Sequence, residues 1–441
     1  MTVTRRNLLL GGSAALASVA LSDSVLAHPF VDAGSFGVDP SGGDQTQALQ
    51  MAIDAAASLR QPLFIGAGSY EINGATIASP VTIRGSGQTV LRVRNGSSIL
   101  SVTASGRVAL EGLTFDGEVQ RDSQSTLLEL TGANDAIIRD CRLVNAAGNG
   151  INAHDVGGRI ENCILSDIGN TGIFCTDSRG LDVFGNTITR CGNGGIRIWR
   201  YESGADGSRV FGNRISQIGW VGGGNGQNGN GINVFRADGV SVSDNSITDC
   251  AFSAIRLNAT NNTRVTGNHC ADSDEVSIYS EFGFSGSIIS DNVIERGAAG
   301  ISITNFDHGG RLCVCSGNIV RDMKADSPTN PDVVPYGIAA EADAVVTGNV
   351  VDGVPGTGIV IGWGPYLRDV IVSENLVRGC DVGIAVSVVP DAGHARISGN
   401  LVSGSRHHAI VGTQWREIVT ADLTINTENY GNIAVRDNSI F

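Results

Sequence analysis

The apolar positions of this chain recur at a regular interval. Through most of its length a turn containing asparagine precedes a short apolar pair. A loop follows, and then a segment of the form Gly-Ile-x-Ile. The turn asparagines are Asn162, Asn186, Asn213, Asn245, Asn268, Asn292, Asn318, Asn349, Asn375 and Asn400, in steps of roughly 23 to 32 residues, a period that marks a repeat architecture. The answering segments are Gly172-Ile173, Gly195-Ile196, Gly231-Ile232, Ala254-Ile255, Gly300-Ile301, Gly337-Ile338, Gly358-Ile359 and Gly383-Ile384. In Gly195-Ile196-Arg197-Ile198-Trp199 the isoleucines point one way and Arg197 and Trp199 the other, because side chains alternate across a strand. β-Branched residues favour strands. The repeat is too short for two strands and a crossover helix, and leucines at helical spacing are absent. Each repeat is therefore expected to be one coil that adds short strands to parallel sheets shared with its neighbours. Asparagine tolerates a left-handed turn, and stacked amides form ladders of side-chain hydrogen bonds. The predicted fold is all-β, a right-handed parallel β-helix (a solenoid) of about 10–12 coils.

Such a stack must close its ends. Asp44, with Gln47 three residues on, is expected to cap a helix. Ala48, Leu49, Ala52, Ile53 and Ala56 share one face of it. Pro62-Leu63-Phe64-Ile65 reads as the first strand after this N-terminal capping helix. Further upstream, Thr4-Arg5-Arg6-Asn7-Leu8-Leu9-Leu10 leads into an uncharged stretch ending at Ser22, a charged region followed by an apolar one. Cleavage is expected after Ala27. The arginine pair resembles the twin-arginine signal. That resemblance implies the Tat export machinery as a partner and a periplasmic or secreted location. The expected divisions are a leader at 1–27, the cap and first coils at 28–100, and the repeats at 101–441. No second apolar stretch is long enough for a membrane span.

Composition agrees with a solenoid. Gly accounts for 60 of 441 residues and aromatics for 5%, which suits many tight turns better than one large core. The net charge of −14 and the lack of a basic patch argue against nucleic acid. The nine cysteines lack zinc-type spacing and read as small apolar fillers inside the coil, with a Cys141–Cys163 bridge as the less favoured alternative.

A more specific resemblance lies near the N-terminus. Phe36-Gly37-Val38-Asp39, Thr46 with Ala48 through Ala56, and Phe64-Ile65-Gly66-Ala67-Gly68-Ser69-Tyr70 resemble the opening module of pectate-lyase-like β-helix proteins. Polygalacturonases, polysaccharide lyases and phage tailspikes carry that module. The chain departs from it at Gly42-Gly43-Asp44-Gln45, where paired acidic residues are common. With its leader and Gly-Asn repeats, the whole chain also resembles a Tat-translocated repeat family of uncharacterised function. The resemblance implies fold and export more than activity. Pectate lyases often use calcium, so calcium stays open. No calcium-loop run of Asp is present, and no other cofactor or metal is expected.

Candidate chemistry sits at the outward strand positions. These are Asn152 and His154, Phe174 and Thr176, Arg197 and Trp199, Asn233 and Phe235, Arg256 and Asn258, Ser277 and Tyr279, Ser302 and Thr304, and Ala339 and Glu341. Later coils fade to Val360, Ala385 and Val411. Aromatics stack on sugar faces and arginines pair with carboxylates. Arg197, Trp199, Asn233, Phe235, Asn258 and Glu341 are therefore expected to bind an acidic polysaccharide. The competing expectation is that the aromatics are satellite core beneath the insertions 222–229 and 321–335. Tyr279, Glu281, Asp307, His308 and Arg256 are the catalytic candidates. Glu281 and Asp307, on adjacent coils, would serve as paired carboxylates in hydrolysis. Tyr279 or His308 would serve in elimination, with Arg256 or Arg197 neutralising the substrate carboxylate. A glycan- or envelope-binding protein and a structural stalk remain open beside the enzyme.

Overall fold

The computed structural model describes residues 30–94, 98–118, 125–224, 226–425 and 430–441. The leader expected at 1–27 lies outside them. The Gly-Ile-x-Ile segments form one 15-stranded sheet that runs from Ala75–Ile77 to His408–Gln414 and ends on the antiparallel strand Glu417–Ile418. Two further faces stack in parallel beside it. On one, Gly158–Glu161 pairs with Asp182–Phe184 and that with Arg209–Phe211. On the other, Ile164–Ile168 pairs with Thr187–Cys191 and that with Arg214–Ile218. The solenoid has about 13 turns, slightly more than expected. Coils that precede the first turn asparagine, such as those of Leu100–Val102 and Leu128–Thr131, belong to the same sheet.

Alternation explains the core. Ile151, Ile173, Ile196, Ile232, Ile255, Ile278, Ile301, Ile338, Ile359, Ile384 and Ile410 are all buried, and each lies beside its equivalent in the next coil. One rung therefore packs on the next along the axis. The preceding glycine lets the backbones approach. A Cβ on Gly300 would stand 2.1 Å from the Gly337 carbonyl oxygen, which no real contact permits. All nine cysteines are buried free thiols.

The asparagine ladder is real, but its two expected roles fall on consecutive residues. The left-handed position is taken by the preceding residue, as at Asp244 (φ 56°), Gly267 (φ 68°) and Asp291 (φ 59°). The buried asparagine then accepts, on its side-chain oxygen, both the backbone N–H and the side-chain amide of its predecessor. Asn268 donates to Asn292 Oδ1 at 2.9 Å and 3.0 Å, and Asn292 to Asn318 Oδ1 at 3.1 Å and 2.9 Å. The ladder runs from Asn186 to Asn438. Asn162 is not a rung: it holds the left-handed site itself (φ 54°). Cys163 takes the rung position, its backbone N–H donating to Asn186 Oδ1 at 2.8 Å.

The capping helix spans Thr46–Leu59 and buries Leu49, Ala52, Ile53 and Ala56 against the first coils. It starts slightly later than a cap at Asp44 implies. Gln45 is the N-cap without a side-chain cap bond, because its amide oxygen is engaged by the Asp39 N–H at 2.9 Å. Asp44 accepts the Thr46 N–H instead, at 2.9 Å. No helix of the described residues is long and apolar enough to cross a membrane.

Candidate functional site

The 15-stranded sheet carries the expected outward stripe, with one change of register. Tyr279 stands opposite Arg256, and Glu281 opposite Asn258. The reading that put Tyr279 level with the second outward position fails because Ser277 replaces the marker glycine in that coil, which shifts the apparent start of the strand.

The middle of the stripe is closed, not open. Arg256 is gripped by Glu281, with Nε–Oε1 at 2.7 Å and Nη2–Oε2 at 2.9 Å, and its Nη1 donates to Glu275 Oε2 at 3.0 Å. Asn258 donates to Glu281 Oε1 at 2.8 Å. Arg256, Glu275 and Glu281 are all buried, Glu281 to 2% exposure. This carboxylate therefore does not pair with Asp307 across an open groove. Asp307 sits in the exposed turn Phe306–His308, where it faces His308 Nδ1 at 2.9 Å. The His308 ring packs edge-on to Phe282. Burial and existing partners likewise occupy Arg256 as a neutraliser.

Arg197 is buried as well, and burial pulls its guanidinium down to about 10. It donates to Asn228 Oδ1 at 2.8 Å and touches the Phe174 and Trp199 rings. Trp199 packs edge-on between Phe174 and Phe235 and donates to Asn233 Oδ1 at 2.6 Å. Asn233 is buried, while Trp199 and Phe235 are half-buried. Arg197, Trp199, Asn233 and Phe235 thus form one tightly bonded cluster.

The open recess lies farther along the same sheet. It is a cleft of about 460 Å³ that reaches from Glu275 and Tyr279 to Trp415 and Arg416. Its floor is Ser302, Ala339, Val360 and Ala385. The fading of the outward positions to small apolar residues is what hollows it. The insertion 321–335 forms one wall, with Asn330 donating to Glu275 Oε1 at 3.0 Å. Trp363 and Trp415, edge-on at 5.4 Å, form the far rim.

Glu341 is the chemical centre of this cleft. The end of the Tyr336–Ala340 strand delivers it into the lining. Burial pushes its carboxyl up to about 7, against the Phe306 N–H, which donates to Oε2 at 2.7 Å and favours the charged form. Burial also pushes the Tyr279 phenol up to about 12, with Arg256 lying 4.8 Å from its ring centroid. Asp332 adds a further carboxyl to the lining, beside Glu341 and the Arg256-bound Glu275. Sequence reasoning had Glu341 and Tyr279 but missed Asp332, Trp363, Trp415 and Arg416. The last three follow strands of the same sheet, and the pattern Gly362-Trp363-Gly364-Pro365 was the available signal. Among the described residues, no group of His, Cys, Asp and Glu is arranged to hold a metal ion.

Comparison with known proteins bears on the fold. A mannuronan C-5 epimerase A-module from Azotobacter vinelandii is 15% identical, with 94% of this chain and 99% of that one covered and a TM-score of 0.49. A DFA-IIIase from Arthrobacter chlorophenolicus, solved in complex with GF2, is 14% identical over 92% and 97%, with a TM-score of 0.51. A surface adhesin of Streptococcus pneumoniae is 11% identical over 89% and 96%, with a TM-score of 0.52. At these identities the likeness concerns the fold. No curated protein matches the chain by sequence. The family described as the right-handed beta helix region matches residues 64–215 and 202–377. The chain therefore belongs to the right-handed parallel β-helix family.

Proposed function

We propose that this protein cleaves an acidic polysaccharide lying across the cleft, by glycoside hydrolysis with Glu341 as proton donor. One observation carries the reading: a carboxyl poised near neutrality, at about 7, lines a recess rimmed by two tryptophans. Hydrolysis of a glycosidic bond takes one carboxyl that is protonated and a second that is ionised. Glu341 supplies the first, and Asp332 brings the second from the insertion wall. Tryptophan faces suit the apolar faces of sugar rings. The leader motif at 1–27 supports action outside the cytoplasm.

Elimination is the second reading. Glu341, partly ionised near pH 7, would take the proton, and Tyr279, held protonated up to about 12, would donate to the leaving oxygen. The test is incubation of the mature protein with acidic polysaccharides, following reducing ends and unsaturated-uronate absorbance together. Reducing ends alone support hydrolysis, and added absorbance supports elimination. Binding without either product, unchanged by Glu341→Gln, overturns both in favour of a binding protein.

A further inference from the structure

Three loops from different coils meet at the far rim of the cleft, and they converge on one cation. Trp415 lies at the tip of the hairpin between His408–Gln414 and Glu417–Ile418, and holds a left-handed backbone (φ 57°) that bulky side chains rarely adopt. Its indole rests on the backbone of Gly364, where an added Cβ would stand 2.5 Å from the ring. That close seat clamps the strained tip. Arg416 is thereby carried over the Trp363 ring, 5.8 Å from its centroid, and its Nη2 donates to the Asp332 carbonyl at 3.2 Å.

Arg416 differs from most of the arginines that face the ends of neighbouring coils. Arg256, Arg296, Arg321, Arg368 and Arg378 each face a carboxylate. Among the described residues, no carboxylate lies within ion-pair distance of Arg416, whose only assigned partner is a neutral carbonyl. It is also the one cation among the described residues that line the cleft. A guanidinium with unused donors beside an aromatic face matches a sugar ring that bears a carboxylate, the ring on the indole and the acid on the fork.

We propose that Trp363, Trp415 and Arg416 form a subsite that selects a carboxylate-bearing sugar unit. This inference rests on the glycan reading of the cleft and names what the cleft selects. The measurement compares a polyuronate with its carboxyl-reduced neutral form, for the wild type, Arg416→Gln, Arg416→Lys and Glu341→Gln, recording both turnover and binding. Arg416→Gln should lower kcat/KM on the polyuronate roughly 10- to 100-fold, mainly through KM, as expected for loss of a hydrogen bond to a charged group. On the neutral polymer the change should stay within about threefold, and Arg416→Lys should recover part of the loss. Equal loss on both polymers, or loss on neither, overturns the subsite. If Glu341→Gln abolishes turnover while Arg416→Gln does not discriminate, the cleft reading stands and only the subsite falls. If the wild type neither binds nor cleaves either polymer, both fall.

Discussion

Glu341 accepts the Phe306 backbone N–H at 2.7 Å, yet burial still lifts its carboxyl to about 7. Desolvation outweighs a bond that favours the charged form. The folded protein therefore binds a proton that the unfolded chain releases from the ordinary value of 4.5. Stability from this group is fully present below about 4.5 and declines as pH rises toward 7, by roughly 3 kcal/mol. Glu341→Gln should abolish turnover and raise thermal stability above pH 7 but not at pH 4. A mutant that gains nothing at high pH would remove the case for a neutral carboxyl. In the wild type, turnover by hydrolysis should fall as pH rises through about 7.

The buried trio predicts a mutant whose cost depends on pH. Arg256→Met leaves Glu275 and Glu281 buried together without their cation. The expected loss is about 3–5 kcal/mol at pH 7. It should shrink at pH 5, where the stranded Glu275 carboxyl, already raised by burial, takes up a proton more readily. Chemical denaturation at the two pH values decides this, and a pH-independent loss would mean that packing alone is at stake.

Much of the fold was legible because its physics is local. Ile196 and Ile198 alternate with Arg197 and Trp199 in one short segment, and that alternation already tells inside from outside. The site was less legible because it depends on what covers what. Arg256 and Glu281 do project from the outer face of the sheet, but strand alternation cannot report that they meet there and are sealed, with Asn330 of the insertion bonded to Glu275 beside them. The cleft arises from small residues, Ala339 and Ala385, and a search for chemistry-bearing side chains passes over such positions. Trp415 reaches it only through a hairpin whose tip depends on Gly364.

Asn292→Ala should cost about 2–4 kcal/mol, since it strands the buried Asn268 backbone N–H and takes one of the bonds from its side-chain amide. A solenoid feels such a loss in neighbouring coils first. Hydrogen exchange should quicken around 268–318 and leave the capping helix unchanged. Uniform loosening along the whole chain would contradict nearest-neighbour coupling.

Glu295 predicts the opposite pH behaviour to Glu341. Hydrogen bonds from Arg296, followed by Arg321 and His269, hold its carboxyl down at about 2. This stabilisation is present above about 4.5 and is lost as pH falls toward 2. Its arginine partners are half-exposed, so Glu295→Gln should cost only about 1 kcal/mol at pH 7. The difference should vanish near pH 2 in a comparison of melting temperatures.

The asparagine ladder also works as a ruler. Its rungs keep one register although the chain between them runs from 23 to 38 residues, so length added to a coil goes outward into loops and leaves the axis unchanged. The coils are in this sense interchangeable modules. Excising 245–267, from one rung to just before the next, together with Glu275→Gln and Glu281→Gln to remove the two carboxylates that Arg256 would leave behind, would rejoin Asn213 to Asn268 with the ladder unbroken. The Trp363–Trp415 rim would then stand one strand spacing, about 4.8 Å, nearer to Trp199. On the proposed function, reach along the polymer is thus a property that whole-coil deletion or duplication can tune without touching Glu341.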